Sequence, residues 1–187
     1  MRVIGGSFKG KKILGPQNDK TRPLKDLTKE SIFNIIKHSN KFKINLEKSN
    51  VLDLFAGTGS FGIECLSRGA KHVTFIENYN NVLRVLKKNI SNLDQINNFM
   101  IVEKDIFKEL IFDEIKKKFN IIFLDPPYKE KNLNIILDSI NKTKILDKDG
   151  ILIIHRHKKD KWEYPDNLKI IEEKKYGISK IIFSNIS

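Results

Sequence analysis

Cys65 is the only cysteine in the 187 residues. One thiol cannot close an internal disulfide or supply a CxxC metal or redox site, so the chain reads as a protein of a reducing compartment. Long apolar runs are also missing. No stretch approaches the roughly 20 residues of a membrane span, and no hydrophobic signal core follows Met1-Arg-Val-Ile-Gly-Gly. The expectation is a cytoplasmic protein with no membrane partner. Acidic residues are scarce, 23 Asp+Glu against 35 Lys+Arg, which leaves a formal charge of +12 at pH 7. The 40% hydrophobic and 31% charged composition excludes disordered and collagen-like classes. A chain of this length makes one ordinary domain with a real core, residues 1–187.

Arginines are few: Arg2, Arg22, Arg68, Arg84 and Arg156, with lysine supplying the rest of the excess. The chain is also crowded with Ile and Asn, a bias that genome composition can produce, so the total charge says less than its distribution. Residues 1–25 hold Arg2, Lys9, Lys11, Lys12, Lys20, Arg22 and Lys25 against Asp19, 7 − 1 = +6, half of the net +12. Such clustering is the footprint of a phosphate-binding surface, whereas dispersed lysines such as Lys116-Lys-Lys118 mostly solvate.

Beyond this arm, short β-rich runs alternate with helical patterns, as in an α/β domain with a parallel sheet. The runs are 51–56, 72–76, 99–102, 120–124 and 151–154, apolar on both parities, as strands buried on both faces are. Val82, Leu83, Leu86, Ile90 and Leu93 share one helical face, and Leu133, Ile136, Leu137 and Ile140 another. Residues 24–38 read as a leading helix with Leu27, Ile32, Ile35 and Ile36 as its apolar positions. The tail 168–184 reads as an antiparallel hairpin turning at Tyr176-Gly177. The predicted architecture is a Rossmann-like, seven-stranded, mostly parallel sheet with helices on both faces, that hairpin at its end, and a basic arm (1–25) ahead of a catalytic core (26–187).

The loop Asp53-Leu-Phe-Ala-Gly57-Thr-Gly59-Ser-Phe-Gly62 joins the first strand to a helix carrying Phe61, Cys65 and Leu66. Glycines there permit a tight turn and close approach of a ligand to backbone N–H groups at a helix N-terminus. Glu77 ends the next strand about 20 residues on, where a carboxylate can accept both hydroxyls of a cofactor ribose. The same glycines could instead only shape a compact turn, and Gly57-x-Gly59-x-x-Gly62 also satisfies the NAD fingerprint.

The fourth strand favours the first reading over NAD, because it ends in Asp125-Pro-Pro-Tyr128. Two prolines fix φ twice and carry no N–H, so their carbonyls are acceptors without local competition. Asp125 and the Pro126 carbonyl can take the two hydrogens of a planar amine while Tyr128 stacks on its ring. The alternative is a turn that merely stops the strand. Two other features are read as structural: Cys65 as a packed thiol, and His155-Arg156-His157 as a solvated strand end in preference to a phosphate contact.

Together these motifs resemble class I S-adenosylmethionine-dependent methyltransferases, in which D/N/S-P-P-Y/F marks methylation of an exocyclic or amide nitrogen. The set Arg2-Val-Ile-Gly-Gly, Gly10-Lys-Lys-Ile, Thr21-Arg-Pro, Asp26-Leu-Thr-Lys-Glu-Ser-Ile-Phe-Asn34, Asp53-Leu-Phe-Ala-Gly-Thr-Gly59, Leu66-Ser-Arg-Gly-Ala70 and Asp125-Pro-Pro-Tyr128 is similar in order and spacing to the bacterial 16S rRNA guanine-N2 methyltransferases of the RsmD type. The resemblance implies that Asp53, Gly57 and Gly59, with Phe55 in the same loop, hold the methionine part of S-adenosylmethionine. It places Glu77, followed by Asn78, on the ribose, Asp105 on the adenine amine with Ile106 beside the ring, and Thr21 and Arg22 near the cofactor carboxylate. From the residues alone, Asp105 reads equally as a helix N-cap and Arg22 as a phosphate contact. Asp125, Pro126, Pro127 and Tyr128 become the catalytic set, without a metal, and S-adenosylhomocysteine the product. Asn78 and Lys29, the latter where arginine is common, depart from the family pattern.

The implied substrate is 16S rRNA, within the small ribosomal subunit, with Arg2, Lys9, Lys11, Lys12 and Lys25 as RNA contacts and a monomer as the acting form. Two alternatives accompany it: an adenine-N6 nucleic-acid or protein-glutamine N-methyltransferase, and a non-catalytic RNA-binding assembly factor.

Overall fold

The computed structural model describes residues 1–16, 24–108, 112, 115, 117–127 and 130–186. Its strands are β1 (Asn50–Leu54), β2 (His72–Ile76), β3 (Phe99–Val102), β4 (Phe119–Leu124), β5 (Leu146–His157), β6 (Leu168–Tyr176) and β7 (Ser179–Ile186), and its helices α1 (Asp26–His38), α2 (Ser60–Ser67), α3 (Asn80–Ser91) and α4 (Leu133–Thr143). All seven strands form one sheet in the order β3-β2-β1-β4-β5-β7-β6. β1 to β5 pair in parallel, while β7 runs antiparallel to both β5 and β6. The predicted mostly parallel sheet and closing hairpin are both present, with the hairpin's second strand inserted between β5 and β6.

Alternation of side chains across the pleat sorts the apolar residues into two cores. Val51, Phe75, Ile121, Phe123, Ile153 and Phe183 face α1, α2 and α3. Leu52, Leu54, Ile76, Ile122, Leu124, Ile154 and Ile182 face α4. Helices on both faces explain why β1, β2 and β4 are nearly continuous apolar runs. β3 departs from that expectation: it is an edge strand, half-buried, with Met100 51% exposed. At the opposite edge β6 presents Lys169, Glu173, Lys174 and Lys175 to solvent, charges that discourage pairing with another chain.

The helices follow the predicted apolar faces, with one correction. Leu133, Ile136, Leu137 and Ile140 of α4 are fully buried, as are Ile32, Phe33 and Ile36 of α1, but Leu27 stands 78% exposed on the first turn of α1. Stacking of Phe33 on Phe61 and of Phe61 on Phe123, centroids 5.4 and 4.0 Å apart, seats α1 and α2 on β4.

Residues 1–16 pack against this frame as a narrow ribbon: the Val3 amide donates to the Lys11 carbonyl, the Ile13 amide to that of Met1, and Arg2 bridges Lys12. Val3 and Ile13 enter the core. The ribbon's turn lies against the end of α2, where the Ser7 amide reaches the Ser67 carbonyl at 2.7 Å.

Candidate active site

In an open parallel sheet ligands bind beyond the carboxyl ends of the strands, where strand order reverses. Here that place lies between β1 and β4. Register sets Leu54 beside Leu124 and Ile76, so Phe55, Glu77 and Asp125 leave three neighbouring strands at one level. Beyond the sheet edge, β3 delivers Asp105 and Ile106.

The backbone between β1 and α2 is bent by three positive φ angles, at Phe55 (62°), Gly57 (58°) and Gly59 (84°). A non-glycine residue such as Phe55 in that region is a local strain held by its surroundings. Its half-buried ring meets Phe107 at 5.5 Å. Gly62 has another reason to lack a side chain: a Cβ there would sit 2.2 Å from the Phe75 ring, so its absence lets α2 lie close on β2.

Asp53 is buried and its Oδ2 accepts the Gly62 amide at 2.9 Å. Its Oδ1 is buried with no hydrogen-bond partner. Burial pushes this carboxyl well above the usual range against the Gly62 hydrogen bond, and the charges of Asp125 and Glu77 add to the rise. Glu77 ties both flanking loops together. One oxygen accepts the Gly57 amide at 2.8 Å and the other the amides of Asn78 and Tyr79 at 3.0 and 2.9 Å. A carboxylate offers about four lone-pair sites, so Glu77 retains capacity for a ligand hydroxyl.

Asp105 Oδ1 accepts the Phe107 amide at 3.0 Å, capping a turn, with Ile106 buried beneath. Its Oδ2 faces the exposed Lys108 Nζ at 3.9 Å, a long and solvent-open pairing that a ligand amine can displace.

Asp125 is the group whose surroundings the sequence did not disclose. Its Oδ1 lies 2.8 Å from His155 Nδ1, and His155 Nε2 lies 2.9 Å from Ser179 Oγ. The reading of His155-Arg156-His157 as a solvated strand end is corrected: His155 and Arg156 are 5% and 2% exposed, and only His157 is half-buried. β7, paired outside β5, removes them from water. Burial lowers the His155 pKa, but the charge and hydrogen bond of Asp125 raise it more, against Arg156, and the net value lies above that of an ordinary histidine. Arg156 Nη2 donates to the Glu130 carbonyl at 3.0 Å and its Nε pairs with Asp160, so the strand end anchors the segment after the prolines. Pro126 is buried and Pro127 exposed, the Pro127 carbonyl accepting the Glu130 amide at 2.8 Å.

Tyr128, Thr21, Arg22 and the adjoining Pro23 lie outside the described residues. Of the basic residues singled out, Arg2, Lys9, Lys12 and Lys25 are exposed. Lys11 is held by Asp94 at 2.6 Å and the Asn92 carbonyl at 3.1 Å. Ser7 and Phe8, just ahead of these lysines, meet Ser67 at the far end of α2, whose eight residues span about 12 Å from the glycine loop. Lys29 is fully buried, its Nζ bonded to the Arg2 carbonyl at 2.9 Å and Ser60 Oγ at 3.2 Å. Cys65 is buried in the core. Among the described residues no group of His, Cys, Asp and Glu could hold a metal ion, and no helix is long and apolar enough to cross a membrane.

Comparison with known proteins places the chain in a family. The family described as "Conserved hypothetical protein 95" matches residues 1–185. A Bacillus subtilis protein named "Putative rRNA methyltransferase YlbH" is 33% identical over 183 residues, covering 97% of this chain and 96% of its own. "Ribosomal RNA small subunit methyltransferase D" of Haemophilus influenzae is 29% identical, covering 95% of this chain and 90% of its own. Among solved structures, "Putative methyltransferase yhhF from Escherichia coli" superposes with a TM-score of 0.79 at 26% identity, covering 100% of this chain and 98% of that one.

Proposed function

The chain belongs to the family described as Conserved hypothetical protein 95, and from that membership we propose that it transfers a methyl group from S-adenosylmethionine to the exocyclic N2 amine of a guanine in 16S rRNA of the small ribosomal subunit. The names of the Haemophilus and Bacillus relatives support rRNA as the substrate. The observation that carries the chemistry is the convergence of Asp53, Glu77 and Asp125 at the ends of β1, β2 and β4, whose charges act on one another. An acidic crevice suits a sulfonium cation and a hydrogen-donating amine. It repels the pyrophosphate of a dinucleotide, and the Gly57 amide that would cradle one is already bonded to Glu77.

The residues fit the cofactor. The unpartnered Asp53 Oδ1 is a buried acceptor awaiting a donor, and a cation beside it would restore its ionised form. Gly57, Gly59 and Phe55 shape the bed for the methionine portion, Glu77 with Asn78 the ribose side, and Asp105 with Ile106 the adenine side. Thr21 and Arg22, adjoining the arm in sequence, are assigned to the cofactor carboxylate. When bound, S-adenosylmethionine supplies an electrophilic methyl and leaves as the thioether S-adenosylhomocysteine.

Everything else falls to the chain. An amine conjugated with a purine ring is a poor nucleophile. Asp125 and the Pro126 carbonyl accept its two hydrogens, favour a pyramidal nitrogen and aim its lone pair, while Pro127 stiffens the loop and Tyr128 stacks on the base. Asp125 also stabilises the positive charge that grows on nitrogen and then takes the released proton. Positioning and electrostatics thus supply the acceleration. Entry of the base requires it to leave its stack, at a cost of a few kcal/mol that Tyr128 offsets by roughly 1–3 kcal/mol. Arg2, Lys9, Lys11, Lys12 and Lys25 contact phosphates of an RNA large enough to reach both ends of the sheet. The chain acts as a monomer in the cytoplasm, as one domain whose arm packs on its catalytic core.

The test is transfer of labelled methyl from S-adenosylmethionine to rRNA and to small-subunit particles from cells lacking the enzyme, followed by nucleoside analysis. N2-methylguanosine is expected. N6-methyladenosine would overturn the guanine assignment, and binding of RNA without transfer would make the chain an assembly factor.

A further inference from the structure

His155 enters neither the sequence motifs nor the family assignment of the site, yet it makes a direct contact with the proposed acceptor carboxylate. Its ring is clamped at both nitrogens, 2.8 Å from Asp125 Oδ1 and 2.9 Å from Ser179 Oγ, and only 5% of the residue is exposed. The nitrogen facing a carboxylate carries the proton, so in the neutral ring Nδ1–H donates to Asp125 and Nε2 accepts the Ser179 hydroxyl. When the ring is protonated, Nε2–H donates instead and the serine hydroxyl rotates to accept. Both charge states therefore fit the same coordinates, which a structural histidine wedged against a carbonyl would not allow.

We propose that His155 is a positioning residue for methyl transfer: it fixes Asp125 through Oδ1, leaves Oδ2 to accept the substrate amine, and by its own protonation sets how much negative charge Asp125 can offer the developing ammonium. The proposal rests on the methyltransferase reading. Parallel pairing of β4 with β5 creates the contact, because Leu124 opposite Ile154 puts the next residues, Asp125 and His155, side by side. Antiparallel pairing of β7 then brings Ser179 over the ring.

The charges that act on the ring include Asp125 from β4 and Arg156 from β5 itself. β7 brings Ser179 and, opposite Arg156, the buried Lys180, which is turned to the Tyr164 hydroxyl at 3.2 Å. The helices over this face, α1 and α2, carry Asp26, Lys29 and Glu64, which pair with one another. Asp125 is thus an anion in direct contact with His155, and the raised imidazole pKa agrees with that arrangement. Imidazolium beside Asp125 cancels the charge the reaction needs, so turnover falls as pH drops through the His155 pKa.

His155→Asn keeps a nitrogen donor at the Nδ1 position but cannot titrate, and His155→Ala removes both functions. Single-turnover methyl transfer is measured from about pH 6 to about pH 9. The wild type is expected to rise along a single ionisation to a plateau. His155→Asn should hold that plateau within about threefold and lose the low-pH limb, and His155→Ala should fall about tenfold at every pH, with S-adenosylmethionine affinity unchanged in both. Independently of turnover, the His155 ring titrated by NMR should show a pKa above that of a free histidine, falling when Asp125→Asn is introduced. Wild-type rates and pH profile in His155→Ala, or an imidazole titration indifferent to Asp125→Asn, would overturn the proposal. Absence of transfer by the wild type would instead sink the methyltransferase reading, while the NMR titration still decides the pair.

Discussion

Asn89 Nδ2 donates to the Thr58 carbonyl at 2.9 Å, fastening α3 to the glycine loop. The same side chain holds the backbone of Leu14, accepting its amide at 2.8 Å and donating to its carbonyl at 3.1 Å. One buried amide thus joins the basic ribbon to the proposed cofactor bed. Asn89→Ala leaves these groups to find water or stay unpaired, at about 1–3 kcal/mol. The expected result is a lowered urea midpoint together with several-fold weaker S-adenosylmethionine binding, read by calorimetry; unchanged binding would show that the loop holds its shape without this strut.

Glu64 is a second fastening. Its buried carboxylate accepts the Ile4 and Gly5 amides at 2.8 Å each and Arg68 Nε at 2.7 Å, and faces Lys29 Nζ at 3.7 Å. Burial lowers the Lys29 pKa while Glu64 and Asp26 oppose that fall. Breaking a buried pair by removing one member costs about 3–5 kcal/mol, whereas replacing both with apolar groups can be nearly neutral. Glu64→Gln should therefore destabilise more than Glu64→Gln combined with Lys29→Met, as measured by denaturant unfolding at constant m-value.

Binding and turnover should separate between two carboxylates. Asp125→Ala is expected to cut single-turnover rate by about 10²–10³-fold or more while S-adenosylmethionine affinity stays nearly intact. Glu77→Ala should weaken cofactor binding by about 10–100-fold, the worth of one or two hydrogen bonds to a charged group. If Asp125→Ala retained wild-type turnover, the carboxylate would leave the mechanism.

The His155 pair also links stability to pH. A histidine whose folded pKa exceeds its unfolded value, near 6.5, adds stability that is fully present below the unfolded value and is lost as pH rises through the folded one. Asp125→Asn removes the partner and hence the gain. The difference in Tm between wild type and Asp125→Asn should shrink from about pH 6 to about pH 9 in thermal scans; a constant difference would mean that the ring stays neutral throughout.

Much of the fold could be read from residues because β1, β2 and β4 are covered on both faces, which favours nearly continuous apolar runs. The same logic hid the true length of β5. Its start pairs at Leu146 and then passes through an irregularity at Asp147-Lys-Asp-Gly150 before pairing with β4 resumes at Ile151, and its polar end, His155 and Arg156, is held by pairing with β7. Asp53, Gly57, Glu77 and Asp125 stand out in the sequence because each lies near the end of a strand or just beyond it with a distinctive neighbour. The partner of Asp125 was not, since 30 positions separate it from His155 and only strand order and register bring them together. His72 on β2 carries the opposite lesson: equally placed in an apolar run, it lies at the far end of the sheet from the site.

The strand that fills the gap between β5 and β6 is the last of the seven along the chain. A ribosome adding about 5–20 residues per second joins residues 1–178 before β7 exists to pair with them. Until then β5 has an open edge, β6 lacks its partner, and the His155 ring has no Ser179 at its second nitrogen. Docking of β7 closes the sheet and completes the support behind Asp125 in one event, so this carboxylate is backed by its full His155–Ser179 chain only once β7 has been made.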